Sequence, residues 1–277
     1  MVSYYKAEKL SDHITAIRSL TDEILYLIEG KEQALLVDTC LGVGHLRKFV
    51  EGLTDLPVTV VLTHGHVDHA LGAPEFDDVW MNPLDTEIYK RMSPLEERIG
   101  YIRGNLGGAA PELTEADFVQ PEEPHFHDLE DGRIFDLGDI EAEVIALPGH
   151  TPGTMVVLVP EERTLILGDA CNNATFLFDN DSLSVEEYME NLISVKERLV
   201  GRYDTVCLCH HVMTAPEDMM ESVIGVCRDI LDGSTDDQPF EFMGSHCFVA
   251  KAADEQFRRK DGGAGNIIYR KEKIRKH

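Results

Sequence analysis

Residues 63–69 read Thr63-His64-Gly65-His66-Val67-Asp68-His69 and follow directly on Val58-Thr59-Val60-Val61-Leu62. The preceding run is apolar and β-branched, with the length and composition of a strand buried on both faces. Three imidazoles and one carboxylate then fall within six residues. Those are the donors that zinc and other first-row divalent cations take. Residues two apart on one side of a turn can grip a single ion, as His64 and His66 would. Asp68 and His69, on the next turn of chain, can then face a second. Loops at strand ends are where functional side chains are usually displayed. A lone H-x-H reads as a solvated histidine loop, whereas H-x-H-x-D-H on a buried strand reads as a metal site.

Four donors cannot saturate two cations, so the reading demands ligands from elsewhere in the chain. Polar residues just past other apolar runs supply them. His150 lies in Leu147-Pro148-Gly149-His150-Thr151-Pro152-Gly153 after Glu143–Leu147, where the Pro-Gly turn aims its side chain. Asp169 lies in Gly168-Asp169-Ala170 after Thr164–Leu167, and His210 follows Thr205–Cys209. Each taken alone reads equally well as a structural residue. Ordered around the histidine-rich loop, they form a set.

These motifs resemble, in order and separation, those of the metallo-β-lactamase fold superfamily. The resemblance runs from Asp38 to His210. It is specific for fold and poorly specific for substrate. It implies an α/β fold, a four-layer αββα sandwich, with a dinuclear metal site. Carried over, one ion takes His64, His66 and His150, the other takes Asp68, His69 and His210, and Asp169 bridges both. Asp38 matches a carboxylate that orients the ligands; it reads equally as an ordinary turn residue. The family usually has Gly after the last histidine, but here His211 follows His210 and competes with it. The implied chemistry is hydrolysis by a metal-bridging hydroxide, since two cations lower the pKa of a shared water from ~15.7 towards ~7. Asp68 is the expected catalytic carboxylate, orienting the water or carrying its proton. Two Zn2+ ions are expected, with Fe or Mn as alternatives. The substrate would be a small ester, thioester, lactone or amide. Relatives that hold one iron and oxidise a persulfide share the motifs, so an oxidoreductase is the second reading, and a non-catalytic metal-binding module the third.

The rest of the chain sets bounds. It has 277 residues with 25 Lys and Arg against 51 Asp and Glu, a net charge of −26. A hydrophobic content of 43% suits a globular protein rather than a disordered one. The acidity opposes binding to nucleic acid and to long polyanionic substrates. Six scattered cysteines without a C-x-x-C pair suggest free thiols. No leader-like segment and no apolar run of membrane-spanning length is visible. A cytoplasmic protein with a small-molecule substrate and no membrane partner is expected, and a homodimer is compatible with the sequence.

Strands and helices interleave without a flexible linker, which predicts one α/β domain over 1–277. Strand-like runs are Ile14–Leu20, Glu23–Glu29, Gln33–Asp38, Met155–Val159, Phe242–Ala250 and Asn266–Tyr269; His45–Leu53 reads as a short helix. A Pro- and Gly-interrupted stretch at about 83–124 reads as a partly helical insertion, with Ser93 as a helix N-cap. Ser184 and Glu187 predict a capping box ahead of an amphipathic helix. A second helix is expected over Ala215–Leu231, stopped by Gly233, followed by a C-terminal extension at about 234–277 whose basic end is solvated. The insertion and the extension are expected to wall the substrate pocket. His125 and His127 do not follow an apolar strand and read as structural, as do His13, His45, His246 and His277. Cys171, two residues past Asp169, reads as a small core residue, and Cys207 and Cys209 as buried strand thiols.

Overall fold

The structure, a computed structural model, describes residues 2–242 and 244–276. The chain divides into two compact units, residues 1–144 and 145–277. His277, read from sequence as a surface residue, lies outside the described residues.

The first unit contains β1 (Lys6–Lys9), β2 (Ile14–Arg18), β3 (Ile24–Glu29), β4 (Ala34–Val37), α1 (Leu46–Val50), β5 (Val58–Val61), α2 (Val67–Ala70), β6 (Val79–Met81), α3 (Thr86–Met92), α4 (Leu95–Leu106) and β7 (His127–Asp128). Its sheet runs β1 to β7 in chain order. The first four strands pair antiparallel, and β4 to β7 pair parallel. Parallel neighbours cannot be joined by a tight turn, so helices carry the crossovers. Parallel pairing also brings strand C-termini to one edge. Val37 sits opposite Val61, and the Asp38 amide donates to Val61 O at 2.9 Å. The turn after β4 and the histidine loop after β5 therefore leave the sheet side by side, which is where open α/β sheets place their sites.

The interior of this unit is built from Leu25, Leu27, Leu36, Val60, Leu62 and Leu71, all at or near zero exposure. Strand β1 is exposed at every position and has no apolar alternation for a sequence reading to find. Ser93 is not a helix N-cap. It caps the C-terminus of α3, its hydroxyl donating to Tyr89 O at 2.7 Å, and α4 begins after Pro94. A hairpin of β8 (Ile134–Asp136) and β9 (Glu141–Ala146) carries the chain across the division.

The second unit contains β10 (Met155–Val159), β11 (Thr164–Ile166), β12 (Thr175–Leu177), α5 (Val185–Leu199), β13 (Thr205–Cys207), β14 (Thr214–Ala215), α6 (Met219–Asp232), β15 (Gln238–Phe242), β16 (Ser245–Val249) and β17 (Ile267–Tyr269). β11 lies between antiparallel β10 and parallel β13. A separate sheet runs β12-β17-β16-β15. Helix α5 starts as the sequence predicts: Ser184 Oγ accepts from the Glu187 amide at 3.2 Å, and Glu187 Oε2 accepts from the Ser184 amide at 3.3 Å. Ser184's hydroxyl also holds the Glu187 carboxyl below its usual range. Val185, Tyr188, Leu192, Val195 and Leu199 form the buried stripe of α5. Helix α6 starts later than expected because Ala215 pairs with Val206 in β14. It ends at Gly233, whose φ of 73° is costly for any residue with a Cβ.

The basic end is not simply solvated. Lys273 donates its ammonium to the carbonyls of Asp179, Asn180 and Ser182, and Arg275 pairs with Glu186 at 3.1 Å. Among the described residues no helix is long and apolar enough to cross a membrane.

Candidate metal centre

In the first unit the histidine loop is held from beneath by Asp38. This residue has φ 67°, a left-handed conformation that Asp tolerates better than most side chains. The twist turns its carboxylate onto the neighbouring loop, where Oδ1 accepts from the Thr63 amide at 2.7 Å and Oδ2 from the Thr63 hydroxyl at 2.8 Å. Asp38 Oδ2 also lies 2.8 Å from His69 Nδ1. A carboxylate only accepts, so His69 Nδ1 carries the hydrogen, and Nε2 of the neutral ring keeps its lone pair. The Thr63 hydroxyl spends its hydrogen on Asp38 and therefore accepts from His64 Nδ1, 3.1 Å away. His64 is set to the same tautomer.

The loop gathers its donors closely. The His64 ring lies 4.7 Å from His66 and 4.2 Å from His69, centroid to centroid. His69 Nε2 is 3.7 Å from Asp68 Oδ2. Ligand atoms of His64 with His66, of His64 with His69, and of Asp68 with His69 all fall within 4.8 Å. All four residues are buried. Gly65 allows this packing, because a Cβ there would stand 2.7 Å from Asp85 O. The Gly65 amide donates to Asp85 Oδ2 at 2.9 Å.

Helix α4 of the predicted insertion adds a residue that sequence reading missed. The Tyr101 hydroxyl lies 2.7 Å from Asp68 Oδ2 and 3.1 Å from Glu23 Oε1. Burial, followed by the charges of Asp68 and Glu23, raises the Tyr101 pKa well above its ordinary value, so the phenol stays protonated and donates. Thr63, Glu23 and Asp85 were also missed. Only a partly helical stretch was readable there from the sequence; which residue reaches Asp68 depends on tertiary packing.

In the second unit three separated turns supply donors. His150 Nδ1 lies 2.9 Å from the Phe176 carbonyl, an obligate acceptor, so His150 also keeps its lone pair on Nε2. That Nε2 is 3.8 Å from Asp169 Oδ2, and His210 Nε2 is 3.3 Å from the same oxygen. Asn172 Nδ2 steadies the other carboxylate oxygen at 3.1 Å. Tyr188 of α5 joins two of the turns. Its hydroxyl donates to Ala170 O at 2.8 Å. Its ring lies so close to Gly149 that a Cβ there would come within 2.2 Å of it. His211 adopts φ 60°, is exposed, and has its ring 5.7 Å from Phe257, so His210 is the histidine that meets Asp169.

The remaining candidates take structural places. His127 lies against Trp80, with ring centroids 4.7 Å apart, and His125 is exposed. His13 Nδ1 lies 2.8 Å from Glu29 O, His45 meets Glu75 at 3.2 Å, and His246 meets Glu241 at 3.0 Å. Cys171 is fully buried, and burial pushes its thiol up to about 12, so it is neutral at ordinary pH. Cys207 and Cys209 are both buried.

The donor chemistry fits divalent metal. Three buried imidazoles, His64 and His69 on one loop and His150 on another, are each held by an acceptor at Nδ1, which is how metal-binding histidines are prepared.

Comparison with known proteins agrees with this reading. The profile described as the metallo-beta-lactamase superfamily matches residues 25–210. Human "acyl-coenzyme A thioesterase MBLAC2" is 25% identical over 205 residues, covering 65% of this chain and 73% of that protein. An uncharacterised protein of Aquifex aeolicus (strain VF5) is 31% identical over 147 residues, covering 51% and 61% respectively. A metallo-beta-lactamase from Pontibacter korlensis superposes with a TM-score of 0.60 at 17% identity, over 80% of this chain and 97% of that one. At that identity the likeness speaks for fold alone.

Proposed function

The chain belongs to the metallo-β-lactamase superfamily, with its α/β sandwich fold, and from that membership we propose that it is a dinuclear metal-dependent hydrolase of small thioesters. Among the ester-like substrates that the family chemistry covers, the thioester is chosen because curated relatives such as human MBLAC2 bear that activity in their names. The observation that carries the metal assignment is the shared preparation of His64, His69 and His150. An acceptor holds Nδ1 of each and leaves Nε2 to ligate. The proposed ligands are His64, His66 and His150 for one ion and Asp68, His69 and His210 for the other, with Asp169 between them.

Two bound Zn2+ ions would supply an ionised water at neutral pH and a Lewis acid for the thioester carbonyl. The chain's own residues do the rest. Asp38 and Thr63 keep His64 and His69 in the ligating tautomer. Tyr101 holds the Asp68 carboxylate in one orientation, so that Asp68 can take the proton that the water gives up as it ionises, before the hydroxide adds to the acyl carbon. The C–S bond then breaks, and the proton returns to the departing thiolate. The net charge of −26 keeps polyanionic polymers away and leaves a small molecule as the substrate.

The test is a metal assay combined with a thioester panel in which released thiol is followed by colour. About two zinc per chain and thiol release that falls on chelation support the proposal. One iron per chain with oxygen uptake and no hydrolysis would assign a persulfide-oxidising oxidoreductase instead. Metal without turnover of any ester, thioester or lactone would leave a binding module.

A further inference from the structure

Five phenylalanines of the second unit converge from three segments: Phe176 and Phe178 at β12, Phe240 and Phe242 on β15, and Phe257 in the loop after β16. Phe176 lies 4.9 Å from Phe178 and 5.2 Å from Phe242, and Phe240 packs edge-on to Phe257 at 5.7 Å. All except Phe178 remain partly exposed. Single exposed apolar residues are ordinary, but a cluster of partly exposed rings is unusual on a soluble surface.

Two of the five, Phe240 and Phe257, line a cleft of about 730 Å³ together with Val249 and Ala253, and the rest of its wall is polar, with Asp254, Glu255, Arg258 and Lys260 among its side chains. That is the size of small-molecule sites, and its apolar side, formed by Phe240, Val249, Ala253 and Phe257, is the part that an alkyl chain would lie against. Its position ties it to the metal-ligand turns of the same unit. The Phe176 carbonyl is the acceptor that orients His150. Phe257 faces His211, the neighbour of His210. Phe257 is also held in a left-handed conformation, φ 56°, which is costly for an aromatic residue. Its loop is braced by Asp254, whose carboxylate accepts from the amides of Gln256 and Arg258 and whose carbonyl accepts from the Phe257 amide. The chain thus maintains an unfavourable backbone state that presents a ring to the cleft.

We propose that the apolar side of this cleft, formed by Phe240 and Phe257 with Val249 and Ala253, seats the apolar acyl chain of the substrate, so that the protein selects thioesters of medium-length fatty acids over acetyl thioesters. The inference rests on the hydrolase reading for its reaction but not for its binding site. Each methylene placed against the rings contributes to discrimination, whereas an acetyl group reaches none of them.

The experiment compares octanoyl and acetyl thioesters of N-acetylcysteamine with the metal-loaded full chain and with Phe240→Ala, Phe257→Ala and Phe257→Leu. Calorimetric titration with the non-hydrolysable S-octyl thioether runs alongside. The wild type is expected to favour octanoyl in kcat/KM by at least about tenfold. The alanine variants should reduce that ratio to about threefold or less and weaken thioether binding in parallel, with Phe257→Leu between them. Circular dichroism and metal content identify a variant that has failed to fold, and the leucine variant then decides. Thioether binding and acyl preference unchanged in folded variants would overturn the cleft assignment. Thioether binding that depends on Phe240 and Phe257, in a chain that hydrolyses neither thioester, would uphold the cleft and sink the hydrolase reading.

Discussion

The two groups of candidate ligands, one in each unit, are built in opposite ways. In the first unit four donors lie within six residues, and side chains of the same unit orient them: Asp38, Thr63 and Tyr101. In the second unit the donors lie on turns tens of residues apart. Backbone and packing orient them: the Phe176 carbonyl, the close approach of Gly149 to Tyr188, and the hydroxyl of Tyr188 on Ala170. A contiguous ligand run needs few constraints beyond its own turn but many hydrogen bonds to set its tautomers. Dispersed ligands need a rigid scaffold and few polar partners. The first half should therefore be vulnerable to changes of polar atoms at constant shape, and the second to changes of shape at constant polarity.

The largest effect serves as the reference for both halves. His64→Ala and His150→Ala should each reduce thioester hydrolysis to the rate of the uncatalysed reaction, with bound zinc per chain reduced. Retention of both ions and most of the rate by either variant would remove that residue from the ligand set.

Asp38→Asn tests the polar half next. The amide has nearly the shape of the carboxylate, but it can donate as well as accept, so it no longer dictates the tautomer of His69 or, through the direction of the Thr63 hydroxyl, that of His64. A loss of about 10–100-fold in metal affinity or activity is expected, with little change in melting temperature. Gly149→Ala tests the shape half. The added methyl must displace the Tyr188 ring, and overpacking of this kind costs about 1–3 kcal/mol. It should appear as a drop of a few degrees in melting temperature together with reduced zinc content. If Asp38→Asn lowered mainly stability and Gly149→Ala only activity, the contrast between the halves would be reversed.

Tyr101→Phe is the finest of the four. It keeps the buried ring and removes the hydrogen bond to Asp68. A neutral donor to a carboxylate contributes about 1.5–3 kcal/mol when fully buried, and less where a neighbouring group substitutes, so kcat should fall about 3- to 30-fold with KM little changed. A change confined to KM would show that Tyr101 shapes the pocket and does not steady Asp68.

The same contrast explains what could be read before the structure. The histidine loop announced itself because its donors and the buried strand before them are contiguous. His150, Asp169 and His210 could be found as polar residues at the ends of apolar runs, because strand termini are visible as changes in hydropathy. Tyr101 gave no such signal. It stands in a helix whose sequence pattern says nothing about a contact 33 residues away in sequence. The exposed β1 strand lacked any pattern to detect. The start of α4 was misjudged by one residue because Ser93 suits either end of a helix, and only its bond to Tyr89 O decides. Lys273 looked like part of a solvated basic tail, since no sequence pattern shows that three carbonyls await its ammonium.

Tyr188 gives the second half an internal gauge. One edge of a single phenol ring abuts the glycine before His150, and its hydroxyl is bonded to the residue after Asp169. The span between an imidazole and a carboxylate is thereby tied to the width of one ring on a helix that contributes no donor of its own. Sliding or rotating that helix slightly would widen or narrow the span, so the spacing of the two donor turns is set by a residue that belongs to neither of them.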